Sequence, residues 1–369
     1  MARIGFAYMG TVPIVVKMLL EDLGHAVIVP EVPTAKTLSL GTKYAPEFAC
    51  MPLKIVLGTY IEVLERGADT IVTTGGVGPC RAGQYAQIQE AILRELGYDF
   101  EMIVLEPPRC NILDFLGKIR RLNAARKSWL GVYRDIMKAW HKLKALDEVE
   151  RLSHWVRPRE LRRGTTTSVY RRCLEWLDRA RTIEEIDAAR ERALSALRRV
   201  PIDESRDPLK VGIVGEIYVV VEPTANHNIE ENLGHMGVQV ERSIFMTGWT
   251  KENTVRDAEG MSHGEMIKRV ASPYLPEMIG GHGQDSIGNT ILYAKRGFDG
   301  VIQLAPFSCI PEIVARSILP RVSEDYDIPV LTFFLDEHSG EAGMITRLEA
   351  FVDLLERRRG ARRGSLKAV

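Results

Sequence analysis

The chain is expected to fold as two open α/β domains flanking a helical segment, and three observations carry that expectation. Short apolar runs alternate with helix-length stretches in residues 1–117 and again in 206–357. That is the rhythm of parallel sheets covered by helices. The segment between, 118–205, repeats its apolar residues at three- and four-residue spacings, as amphipathic helices do. The length, 369 residues, suits two or three domains with cores of ordinary size.

Taken in order, the N-terminal domain offers strands at Ile4–Met9, Ala26–Val29, Thr70–Thr73 and Met102–Leu105, with helices at Val12–Leu23 and Ile55–Arg66 between them. Arg3 before an apolar stretch briefly imitates a signal peptide. Gly10, Pro13 and Lys17 interrupt it, so strand followed by helix is the better reading. In the helical segment the apolar positions are Trp129, Trp140, Leu143, Leu152 and Trp155, then Leu174, Trp176, Leu177, Ile183, Ile186, Leu194 and Leu197. Arg157-Pro158 and Arg163-Gly164 break it into at least two groups of helices. The C-terminal domain restores the strand rhythm at Lys210–Val214, Gln239–Ile244, Gly300–Leu304 and Pro329–Leu335. Residues 358–369, rich in Arg and Gly, are expected to be a solvated basic tail.

Composition narrows the function classes. The 49 Lys+Arg balance the 49 Asp+Glu, which excludes a chain-wide basic field for nucleic acid. The zero is an average: residues 118–200 hold 22 Lys+Arg against 11 Asp+Glu, so the α/β parts carry the matching acidic excess. That basic segment either faces anionic phosphates or an acidic partner, or is a set of solvated helix faces. No uncharged apolar run reaches the roughly 18–20 residues that span a bilayer, so no membrane partner is expected. Five cysteines, odd in number and without CxxC, do not make a disulfide scaffold. A reducing cytoplasm is the expected setting.

The cysteines sit in distinctive places. Cys80, in Gly-Val-Gly-Pro-Cys-Arg-Ala-Gly, follows the strand ending near Thr73 and opens a helix. Ligands gather at strand carboxyl ends in open α/β sheets, and a helix N-terminus favours thiolate over thiol. Cys80 is therefore either a thiolate ligand or a buried residue after a glycine turn. Cys309, in Ala-Pro-Phe-Ser-Cys-Ile-Pro-Glu, follows the strand ending at Leu304 in the same manner, and Cys50 lies in Phe-Ala-Cys-Met-Pro-Leu-Lys. Three thiolates from two domains could hold an iron–sulfur cluster with one iron left open. Cys110, in Pro-Pro-Arg-Cys-Asn, is either a fourth thiolate or a loop residue, while Cys173 falls mid-helix and reads as core. Gly280-Gly281-His282-Gly283 with Ser286 and Asn289 suits an anion at a helix start, or a structural turn. It lacks the Gly-Lys-Ser/Thr of an ATP-hydrolysing loop. Glu216, Glu222 and Glu312 lie near strand ends, where they could do acid–base work. Neither a zinc HExxH nor a nucleophile elbow is present.

Four segments, EFACMPLKIVLG, GVGPCRAGQYAQIQEAILRELGYDFEMI, GGHGQDSIGNTILYAKRGFDGVIQLAPFSCIPEIVARSILP and LDEHSGEAGMITRLEAFVDLLERR, closely resemble acyl-CoA dehydratase activase-related proteins. These belong to the 2-hydroxyacyl-CoA (2-hydroxyglutaryl-CoA) dehydratase D-component superfamily. The likeness covers nearly all of residues 1–120 and 205–357. It implies Rossmann- or flavodoxin-like parallel-sheet domains and a [4Fe-4S] cluster with Cys50, Cys80 and Cys309 as ligands. By the same resemblance the chain is a low-potential reductase or an acyl-CoA dehydratase-like lyase component. The resemblance further implies an ATP-dependent activase or another electron donor as partner, an acyl-CoA substrate, and a homo- or hetero-oligomer. The alternative is a non-catalytic electron-transfer or accessory cluster protein. Only five cysteines are present, which favours a single cluster.

Overall fold

A computed structural model describes residues 1–76, 80–106, 111–254 and 263–367. The chain divides into two compact units. The first comprises Met1–Asp147, Trp176–Arg190 and a segment beginning at Met246; the second comprises Glu148–Glu175, Glu191–Phe245 and the chain from His263 onward. The helical stretch 118–205 is thus shared between the two units rather than standing apart.

The first unit contains strands β1 (Arg3–Phe6), β2 (Ala26–Val27), β3 (Thr70–Thr74) and β4 (Glu101–Leu105), all parallel, in the order β2-β1-β3-β4. Its helices are α1 (Val12–Asp22), α2 (Ala35–Tyr44), α3 (Met51–Glu65), α4 (Tyr85–Glu95) and α5 (Ile112–Leu122). Three longer helices follow: α6 (Trp129–Val156), α7 (Thr165–Arg179) and α8 (Ile183–Arg198). The second unit contains β5 (Leu209–Gly215), β6 (Val238–Arg242), β7 (Gly300–Pro306) and β8 (Val330–Leu335), also all parallel, in the order β6-β5-β7-β8. The remaining helices are α9 (Ile217–Val221), α10 (Ile229–His235), α11 (Met246–Thr254), α12 (His263–Ala271), α13 (Gly283–Lys295), α14 (Ile310–Asp325) and α15 (Glu341–Lys367). The two-sheet α/β architecture is the one the strand–helix rhythm implies, and the two units repeat one strand order.

Side-chain alternation explains how each sheet is covered. In the first, Ile4, Phe6, Val72 and Ile103 pack with Leu20 and Leu122 in one cluster. Their chain neighbours Ile71 and Met102 join Leu57, Tyr60, Ile61 and Leu93 in another, so the two faces bury separate cores. In the second, all seven residues of β7 are buried, the near-continuous apolar run of a central parallel strand.

The C-terminal basic run departs from the expected tail. Helix α15 continues through it, with Arg358 bonded to Asp327 and the Arg359 guanidinium donating to Asp299 Oδ1 at 2.9 Å. Partners some 30 and 60 residues upstream hold these arginines, which is why local composition misreads them.

Candidate functional site

In a parallel α/β unit the helices run against the strands. Helix N-termini and strand carboxyl ends therefore share one edge. The three candidate cysteines all lie there as helix N-caps. Cys50 caps α3, Cys80 caps the 3-10 turn Arg81–Gln84 that leads into α4, and Cys309 caps α14. None of the three side chains makes a capping hydrogen bond to its helix, and Pro52 and Pro311 occupy the first turns after Cys50 and Cys309. Neither proline costs its helix a hydrogen bond at that position.

In the first unit the Cys50 and Cys80 segments are tied together. The Cys50 sulfur bonds the Tyr85 hydroxyl, the Arg81 guanidinium donates to the Phe48 carbonyl at 3.1 Å, and the Gln89 amide donates to the Leu53 carbonyl at 3.3 Å. A Cβ on Gly83 would come within 2.6 Å of the Gly76 carbonyl oxygen, so glycine is required where the turn folds back on the end of β3. Cys50 is buried and Cys80 half-buried. Cys110 lies outside the described residues.

The second unit presents a denser polar edge. Its strand order reverses between β5 and β7, the position where open α/β sheets leave a crevice for ligands. Glu216 follows β5 and caps α9, its carboxylate accepting from the Tyr218 and Val219 N–H groups at 3.0 and 3.2 Å. Cys309 follows β7 across that divide, after Ser308 in the left-handed region at φ 63°. Glu312, in the first turn of α14, is fully buried. Its carboxylate accepts from Ser286 Oγ at 3.1 and 3.0 Å and from Gln303 Nε2 at 2.8 Å, and Thr332 donates to Gln303 Oε1 at 2.9 Å. One turn of α14 is thereby fastened to α13, β7 and β8.

Burial sets the charge state here. Desolvation pushes the Glu312 carboxyl up to about 7 against the pull of Gln303 and Ser286, and the charges of Glu216 and Asp285 push it the same way. Desolvation likewise pushes Glu216 up to about 7. The edge therefore carries two carboxyls that hold protons near neutrality, the condition for general acid–base work. Glu222 is fully buried too, but its carboxylate accepts from the Thr224 N–H at 3.0 Å and hydroxyl at 2.7 Å, which shapes a turn. Burial pushes the His282 imidazole down to about 4, so it is neutral, and its Nδ1 has no hydrogen-bond partner among the described residues.

At the glycine turn before α13, read from sequence as either an anion site or a structural turn, the Ser286 and Asn289 side chains have partners within the protein. His282 is the N-cap, Ser286 is committed to Glu312, and the Asn289 amide donates to the Asp285 carbonyl at 2.9 Å. Cys173 is fully buried in α7, with its thiol against the Ala193 carbonyl and pushed up to about 11 by desolvation. It packs; nothing about it suits ligation.

Among the described residues, Glu150, His154 and Glu230 have ligand atoms within 4.8 Å of one another. This group already holds a cation. The Arg242 guanidinium bonds Glu150 and lies 3.2 Å from Glu230, whose carboxyl is held down at about 2 against desolvation by Arg242 and His154. It is an internal ion-pair network of the second unit.

The fold defines an α/β protein of two parallel-sheet units, with a cysteine after the third strand of each: Cys80 caps the 3-10 turn that leads into α4, and Cys309 caps α14. Compared with models of known protein families the chain matches none, and no curated protein matches it. No described helix is long and apolar enough to cross a membrane.

Proposed function

We propose that the chain is an iron–sulfur protein of the 2-hydroxyacyl-CoA dehydratase type. Cys50, Cys80 and Cys309 are the thiolate ligands of a [4Fe-4S] cluster, and the chain serves as a low-potential reductase or dehydratase component charged by an ATP-dependent activase. One observation supports this most: Cys50 and Cys309 are helix N-caps and Cys80 caps the 3-10 turn before α4, each with its sulfur uncommitted to capping. The N-terminal end of a helix dipole stabilises a thiolate, the form that binds iron. The donor set also fits a cluster chemically, because thiolates are the usual ligands and neither Cys50, Cys80 nor Cys309 is consumed in a disulfide. Such thiols suit a reducing cytoplasm.

When bound, the cluster would supply one-electron transfer and, at an iron not held by the protein, a Lewis acid for a thioester oxygen. The chain supplies proton handling: Glu216 and Glu312 hold protons at their carboxyl oxygens through pH values where exposed carboxyls have lost theirs. The test is anaerobic reconstitution of Cys50→Ser, Cys80→Ser and Cys309→Ser beside Cys173→Ser. The first three should lose most visible absorption and bound iron while Cys173→Ser keeps both. Full cluster loading of Cys80→Ser would sink the ligand assignment.

A further inference from the structure

Arg81, Tyr85 and Gln89 recur every four residues from the turn after Cys80 into α4, a spacing that keeps side chains on one side of a helical run. All three reach the Cys50 segment. The Arg81 guanidinium bonds the Phe48 carbonyl, the Tyr85 hydroxyl bonds the Cys50 sulfur, and the Gln89 amide bonds the Leu53 carbonyl. The outer two bonds fix how the two segments lie against each other, and Tyr85 stands between them. The contact at the sulfur is therefore held by successive turns and not by one rotamer alone.

Burial gives that contact weight. Cys50 is 6% exposed, so little water reaches its sulfur, whereas Cys80 is half-buried. A thiolate has no proton to give, so the phenol is the donor whenever Cys50 is ionised. An O–H donating to an anion is roughly twice as strong as a bond between neutral groups, and stronger still where water is kept out. The bond tightens as the negative charge on its acceptor grows.

We propose that Tyr85, acting through the Cys50 sulfur, raises the reduction potential of the cluster held by Cys50, Cys80 and Cys309, a role that rests on the iron–sulfur reading above. Reduction brings one electron from the activase or other donor and moves neither a bond nor a proton. The added negative charge is stabilised by the hydrogen-bond donors that face the sulfurs. Tyr85 supplies such a donor to Cys50 from the helical run that Cys80 opens. Its hydroxyl thus positions one ligand against the segment of another while setting how readily the electron is accepted.

The experiment compares the wild type, Tyr85→Phe and Tyr98→Phe after anaerobic reconstitution, by redox titration followed with EPR. Tyr98 is the control because its hydroxyl bonds Glu65. Tyr85→Phe should titrate at a more negative potential, by up to about tenfold in the reduction equilibrium or about 59 mV for one electron, and Tyr98→Phe at the wild-type value. In the iron-free proteins, the infrared S–H stretching band that Cys50→Ser removes should move in Tyr85→Phe and stay in place in Tyr98→Phe. A loaded Tyr85→Phe at the wild-type potential overturns the role of Tyr85 and leaves the cluster reading standing. A wild type that takes up no iron overturns both. If Tyr85→Phe folds without loading, the infrared band decides: a moved band upholds the contact as the one that positions Cys50, and an unmoved band overturns it.

Discussion

Glu312 offers the sharpest quantitative check on the polar edge of the second unit. Its carboxyl is fully buried, and desolvation together with the Glu216 and Asp285 charges moves it from 4.5 to about 7. The folded state therefore keeps a proton that the unfolded chain releases. Stability from this group is complete below the ordinary carboxyl pKa and is lost as pH rises toward the folded value. Above that value it stays lost. A shift of about 2.5 units corresponds to about 3 kcal/mol. Glu312→Gln removes the titration while keeping a side-chain oxygen to accept from Ser286 and an amide beside Gln303. Urea unfolding near pH 5 and near pH 8 reads the difference. The fall in stability between these conditions should be smaller in Glu312→Gln than in the wild type by about 2–3 kcal/mol, leaving the share that Glu216 contributes. An identical fall in both proteins would refute the assignment of a buried, proton-holding carboxyl.

Other perturbations test separate parts of the structure. The buried Lys142 ammonium donates to the Asp178 and Ala180 carbonyls at 3.1 and 2.9 Å where α7 ends. Lys142→Met should cost about 2–3 kcal/mol, read as a lowered urea midpoint, because it leaves both acceptors without their donor. Arg242→Met strips the counter-charge from Glu150 and Glu230 and should cost about 3–5 kcal/mol. A loss under about 1 kcal/mol would show that the network is hydrated rather than buried. In the iron-free protein, iodoacetamide with peptide mapping should label Cys80 well before Cys173, because Cys80 is half-buried while Cys173 is sealed and its thiol is pushed up to about 11.

Much of the fold was legible from local chemistry. All eight strands appear where apolar runs were bounded by glycine, proline or polar residues, and Cys80 and Cys309 follow strands as their context implied. Strand order was not legible, since each short run pairs through contacts dozens of residues away. The equivalence of Cys80 and Cys309 emerges only once both sheets share one order. Trp129 shows a different limit: on α6 apolar residues occupy more than one side, so spacing could not say which side faces the core. The division of residues 118–205 between two units, and the capture of Arg358 and Arg359 by distant aspartates, are likewise tertiary facts. For the acid–base edge, position after a strand pointed to Glu216 and Glu312. Their environment, with Ser286 and Gln303 as the only side chains hydrogen-bonded to the Glu312 carboxylate among the described residues, had no local signature.

The central claim concerns the cysteines, and iron settles it most directly. Protein purified or reconstituted without oxygen, assayed for iron and acid-labile sulfide and examined by EPR after reduction, should carry about four of each per chain and give the signal of a reduced cluster. Protein that folds but retains neither iron nor sulfide after reconstitution would contradict the account and leave Cys50, Cys80 and Cys309 as packing residues.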